Sequence, residues 1–191
     1  MWAGNLIKTR REDVELTASA KGVASIRLGG ITLWAAEEKQ LAIALKELRT
    51  AIEEVLASHL TVAKNVLKKL VQDRLGGAPI EDKVFSAVLG WALRCGNIDA
   101  IVCGSKNDKP FRVFIHASHL PQWRNAVEDA TAILLAKHEL IVRHLEKRIF
   151  GARAYNTWSS TAHVLGYLSY RGVAEFIQND TCRLVEDLLQ C

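Results

Sequence analysis

The run from about Ala36 to Leu75 constrains this chain more than any other stretch. Leu41, Leu45, Leu48, Ile52 and Val55 fall at alternating spacings of four and three, which marks one buried helix face. Beyond them the stripe drifts to Leu56, Leu60, Ala63, Leu67 and Leu70, as a nearly straight helix requires, because 3.6 residues per turn does not divide seven. Glu37 and Glu38 stand in the first turn, where the helix dipole favours negative charge, and Gly76-Gly77 closes the run. A helix of about forty residues would be about 60 Å long at ~1.5 Å per residue. That exceeds the diameter of a compact domain of this size. The expectation is a break near Ser58 or a second long helix to pack against.

Strands are expected before this run. Val14, Leu16 and Ala18 alternate with Glu15, Thr17 and Ser19, and Ile26 and Leu28 alternate with Ser25 and Arg27. Lys21-Gly22 and Gly29-Gly30 supply turns, the second leading into Ile31-Thr32-Leu33-Trp34. After the run, Pro79 suits a first helical position, with Glu81 and Asp82 behind it and Val84, Phe85, Val88, Leu89 and Ala92 as the apolar face. Ile98 to Cys103 and Phe111 to His116 read as a hairpin around Ser105-Lys106-Asn107-Asp108. A second long helix is expected from His119 to Phe150, with Val127, Leu134, Ile141 and Leu145 on one stripe and Gly151 at its end. From Ala152 to Cys191 the pattern predicts two or three short helices, punctuated by Gly166, Gly172 and Asn179-Asp180.

The fold class that follows is α+β and helix-rich: short antiparallel strands or hairpins, each followed by a long amphipathic helix, with a small C-terminal helical segment. Strands followed by a long helix occur twice, at 13–75 and 98–150, an order that either reflects a pseudo-twofold arrangement or arises by chance in any α+β chain. With 191 residues, 49% hydrophobic and 24% charged, one domain spanning 1–191 is expected. Its sub-parts are 12–75, 79–150 and 152–191. No stretch approaches the ~18 consecutive apolar residues of a membrane span, and Met1 to Arg11 lacks the charge-then-apolar order of a secretory signal. Cys95, Cys103, Cys182 and Cys191 show no C-x-x-C spacing, so an intracellular, reducing compartment is expected. Cys95 and Cys103 read as small core residues.

Catalytic motifs are weak. Leu28-Gly29-Gly30-Ile31 and Leu75-Gly76-Gly77-Ala78 match neither a dinucleotide fingerprint nor a phosphate loop, and no G-x-S-x-G occurs. His116 and His119 bracket Ala117-Ser118 at a strand end. A metal site there needs a third ligand, such as Cys103 or His138, while the plainer reading makes Ser118 a helix cap. His59 and His138 lie near apolar seams. Glu37-Glu38, Glu53-Glu54, Glu81-Asp82 and Glu128-Asp129 are neighbours on helices and diverge by about 100°, so they are not acid–base pairs. No cofactor, catalytic residue or metal ligand is assigned.

Charge distribution is the most informative signal. The chain carries a net +4. Residues 143–171 hold Arg143, Lys147, Arg148, Arg153 and Arg171 against Glu146 alone, so the whole excess lies in that window. The same window carries Phe150, Tyr155, Trp158, Tyr167 and Tyr170. Cations interleaved with aromatics can hold phosphates and stack bases. The hairpin adds Lys106, Lys109 and Arg112. Nucleic-acid contact is therefore expected at Lys106, Lys109, Arg112, Arg143, Lys147, Arg148, Arg153, Tyr155 and Trp158. The competing reading is a solvated helix end whose cations complement the dipole, with the aromatics in the core.

Gly30-Ile31-Thr32-Leu33, leading into Glu37, Glu38 and a leucine-rich helix, resembles the last strand and helix of transcription-coactivator-type single-strand binders. The likeness spans about 25 residues, on a motif that any strand–helix junction can generate. That family has a longer basic sheet before the helix, whereas the segment here is short and barely basic, so no family is assigned.

The expected function is a non-enzymatic binding protein that contacts nucleic acid, single-stranded DNA or RNA, and forms homo-oligomers through its long helices. The alternatives are a protein–protein adaptor or inhibitor using the leucine stripes, and a small metal- or thiol-dependent enzyme.

Overall fold

The computed structural model describes residues 8–9, 24–28, 31–35, 38–104, 109–137, 139–141, 145–146, 158–178 and 181–185. It is a helix-rich α+β protein with small antiparallel sheets. The chain divides into two compact units, Met1–Val55 with Asn65–Ile98, and Leu56–Lys64 with Asp99–Cys191.

The first unit opens with strands β1 (Lys8–Thr9), β2 (Ala24–Leu28) and β3 (Ile31–Ala35) in the order β1-β3-β2. Leu28 pairs with Ile31, so only Gly29 and Gly30 separate β2 from β3, the spacing expected of a tight hairpin. The expected strand at Val14–Ala18 lies outside the described residues. Helix α1 (Glu38–Ala57) follows, with Ala44, Leu45, Leu48, Ala51, Ile52 and Val55 buried along one face. It stops at Ala57, so the expected break near Ser58 is present. Strand β4 (Val62–Ala63) and helix α2 (Lys64–Arg74) follow it. Two surface ion pairs, Arg74 with Glu54 and Lys68 with Asp82, link α2 to α1 and to the next helix.

Helix α2 ends in a Schellman motif. Gly77 N–H donates to the Gln72 carbonyl at 2.8 Å and Gly76 N–H to that of Asp73 at 3.2 Å. Gly76 and Gly77 hold φ of 87° and 77°, where a side chain would be strained. Helix α3 (Asp82–Arg94) begins three residues later than Pro79 suggests, with Glu81 at its N-cap, and packs against β2 and β3. Its expected face, Val84, Phe85, Val88, Leu89 and Ala92, is buried.

The second unit holds two sheets. Strands β5 (Ile98–Cys103) and β6 (Phe111–His116) coincide with the expected hairpin and join β4 in the order β4-β6-β5. A 3-10 turn (Ala117–His119) leads into helix α4 (Leu120–Lys137). Here the expected 119–150 helix ends early. Glu139–Ile141 is strand β7, paired with strand β9 (Thr181–Leu184). Distant strand partners outweigh local helical periodicity, which is the usual way propensity is overridden. The C-terminal segment also differs from expectation. Among the described residues, helix α5 (Trp158–Tyr170) is followed by strands β8 (Ala174–Gln178) and β9, where two or three helices are expected.

The third sheet runs β7-β9-β8, with Arg183 on its central strand opposite both Glu139 and Glu175 and ion-paired to Glu175. Helices α4 and α5 pack together and on this sheet. One buried cluster joins Leu145 with Ile115 of β6, Trp123, Ala126, Ala130 and Leu134 of α4, Val164, Leu165 and Leu168 of α5, and Cys182 and Leu184 of β9. Among the described residues no helix is long and apolar enough to cross a membrane.

Candidate nucleic-acid interface

Strand β6 changes character along its length. Val113, Phe114 and Ile115 are buried, whereas Lys109 and Pro110 before the strand, and Phe111 and Arg112 at its start, are exposed. Alternation along a strand puts Phe111 on the same face as Val113 and Ile115, and Arg112 on the face of Phe114. Phe111 therefore sits where the core-facing row runs out into solvent, 46% exposed.

Beneath that rim lies a buried polar relay. The Thr61 hydroxyl, just before β4, donates to Ser160 Oγ at 3.2 Å. It also lies 2.9 Å from His163 Nδ1, within hydrogen-bonding distance. Burial pushes the His163 pKa down to about 4, so the ring is neutral at physiological pH. The Phe111 ring meets this imidazole at 6.2 Å between centroids and 62° between planes. The end of β5 is stitched to the same helix: Cys103 Sγ donates to the His163 carbonyl at 3.3 Å and Gly104 N–H to that of Gly166 at 3.0 Å. Gly166 permits the close approach, since a Cβ there would come within 3.3 Å of the Cys103 Cβ.

No protein-family model and no curated protein matches this chain.

The chemistry open to the site is therefore set by its own residues. Of those expected to touch nucleic acid, Lys109 and Arg112 are exposed, on and just before β6. Trp158 is the first residue of α5, with its side chain outside the described residues. Lys106, Arg143, Lys147, Arg148, Arg153 and Tyr155 also lie outside them. The other aromatics of 143–171 divide. Tyr167 packs edge-on against Trp123 at 5.9 Å in the core, whereas Tyr170 and Arg171, at the end of α5, are exposed.

The histidine pair at the strand end is occupied with local structure. His116 Nδ1 accepts from Ser118 N–H at 3.3 Å and lies 2.7 Å from Ser118 Oγ, so the ring of His116, not Ser118, caps the 3-10 turn. His119 Nε2 donates to the Ala57 carbonyl at 2.8 Å. Among the described residues no group of three or more His, Cys, Asp or Glu is placed to hold a metal ion. His138 lies outside them.

The thiols divide as well. Cys103 is buried as expected, and its pKa is pushed up to about 12 by desolvation, which leaves it a poor nucleophile. Cys182 is buried and shifted the same way. Cys95 is exposed at the end of α3 rather than in the core, with Arg49 Nη1 3.4 Å from its sulfur. That guanidinium also lies 4.8 Å from the Trp91 ring centroid and pairs with Glu53 at 3.0 Å.

Two residues escaped the sequence reading. Phe111 carried a usable signal, an aromatic set among cations in Lys109-Pro110-Phe111-Arg112. His163 carried none, because its partner Thr61 is 102 positions away.

Proposed function

We propose that this protein binds nucleic acid, single-stranded DNA or RNA, without catalysing a reaction. Electrostatic capture by Lys109, Arg112 and the basic, aromatic segment 143–171 would be joined by aromatic contacts to bases. The observation that carries the reading is the solvent exposure of Lys109, Phe111 and Arg112 beside strand residues that are buried. Cations hold phosphates and release counterions, and an exposed ring accepts any base face.

The adaptor alternative and the homo-oligomer both depended on uncovered leucine stripes. Leu45, Leu48, Ile52, Val55, Leu134 and Leu145 are buried within the single chain, which removes that reason to expect a protein partner. A reducing compartment accords with Cys95, Cys103 and Cys182 being free thiols.

Fluorescence anisotropy with a labelled single-stranded oligonucleotide, repeated across a salt series, tests the reading. Log affinity should fall with log salt by about 0.7 per phosphate contact. The double variant K109A/R112A should flatten the slope by about one to two contacts, and R143A/K147A should do the same. Absence of binding at low salt rejects the reading.

A further inference from the structure

We propose that Phe111 is the platform on which an unpaired base stacks, so that the site takes single strands in preference to duplex. This rests on the nucleic-acid reading above.

Three observations converge on Phe111. Its backbone is fixed, because Val113, Phe114 and Ile115 immediately beyond it are buried in the central strand of the β4-β6-β5 sheet. Its ring is braced on one side by His163, which is itself held by Thr61, and Thr61 by Ser160, while nearly half of the residue stays open to solvent. A stacking surface needs this combination, since a ring already ordered loses little entropy when a base covers it.

The third observation is charge. A singly exposed apolar side chain is ordinary on any protein. Phe111, however, has exposed Lys109 two residues before it and exposed Arg112 next to it on the opposite strand face. Cations before and after the ring in sequence place positive charge near it, which suits a base carried on a phosphate backbone. A polyglutamate-like acidic peptide offers charges to the cations but no aromatic face to the ring. In a duplex the bases are already stacked and paired, and a ring fixed at a strand start reaches none of them.

The decisive comparison uses the full chain, an oligothymidylate, an abasic strand of the same length, and a duplex of matched charge. F111A should lower affinity for oligothymidylate roughly 5- to 150-fold with an unchanged salt slope. F111Y should restore it. Wild type and F111A should bind the abasic strand equally, and wild type should prefer oligothymidylate to duplex. F111L keeps the apolar bulk without the aromatic face, so it carries the same test if F111A proves misfolded by circular dichroism. Should F111A and F111L bind oligothymidylate as wild type does while K109A/R112A flattens the slope, the stacking role is lost and phosphate capture stands. Polyglutamate that competes as well as oligothymidylate would assign the patch to acidic proteins and overturn the proposal. If no oligonucleotide binds at low salt, the underlying reading fails before Phe111 is reached.

Discussion

Thr61 Oγ1 lies 2.9 Å from Nδ1 of His163, whose ring in turn meets the exposed Phe111 ring edge-on. The bond joins the entry to β4 with the middle of α5, at a ring whose burial favours the neutral form. The folded pKa of about 4 is below the ordinary imidazole value of 6.5, so between these values the unfolded chain holds more protons on this group than the folded one. The stabilisation is complete above pH 6.5, declines as pH falls towards 4, and is lost below that. Urea unfolding at several pH values should show this group contributing a slope of up to about 1.4 kcal/mol per pH unit in that window. A variant H163N should lose that component.

Truncation at Thr61 should expose the same relay differently. Thr61→Val keeps the shape but leaves Ser160 and His163 without the shared hydroxyl. It should cost roughly 1–3 kcal/mol at neutral pH, the penalty of unsatisfied buried polar groups. Thr61→Ser should retain most of the stability, and chemical denaturation of both variants checks the contrast.

Adjacent leucines on α4 should behave in opposite ways. Leu134 is fully buried in the cluster beside Trp123 and Leu168, whereas Leu135 is 57% exposed. Leu134→Ala should lose about 2–5 kcal/mol and Leu135→Ala less than about 0.5 kcal/mol. Similar losses at both positions would reject the orientation of α4.

Gly166 is set by Cys103. A Cβ would approach the Cys103 Cβ to 3.3 Å, so Gly166→Val forces α5 away from the end of β5 and should cost roughly 1–3 kcal/mol. The melting temperature reports it directly. Gly166→Ala should cost much less, because the gain in helix propensity of about 1 kcal/mol opposes the crowding.

Thiol chemistry separates the cysteines by depth. Cys95 should react with an aromatic disulfide reagent in the native protein at neutral pH, while Cys103 and Cys182 should react only on unfolding, being buried and pushed up to about 12. In a Cys191→Ser background, Cys95→Ser removes the fast phase if the assignment holds.

Much of the architecture was legible from period and punctuation. The Leu45–Ile52 stripe predicts the buried face of α1, the excessive length of that run predicts its break, and Gly76-Gly77 marks the end of α2 through the left-handed φ that only glycine adopts freely. What escaped depended on distant partners. Nothing near Glu139 shows that Leu140 will pair with Cys182, and the helical spacing from Leu134 to Ile141 points the other way. The candidate site divides likewise. Lys109 and Arg112 declare themselves by charge, but the brace under Phe111 is assembled from residues 61, 111, 160 and 163, which come together only in the folded chain.

The order of strands in the third sheet bears on how the molecule is made. β9 is central although it is the last of the described strands, and β7, about forty residues earlier, pairs with no other described strand. During synthesis β7 must leave the ribosome with its hydrogen-bonding edge bare and stay so until Thr181–Leu184 emerges. At about 5–20 residues per second that interval lasts seconds. The core beneath α4 and α5 lacks Cys182 and Leu184 for the same time. Assembly of this unit thus waits on β9, and a chain stalled before it presents an open strand edge to its neighbours.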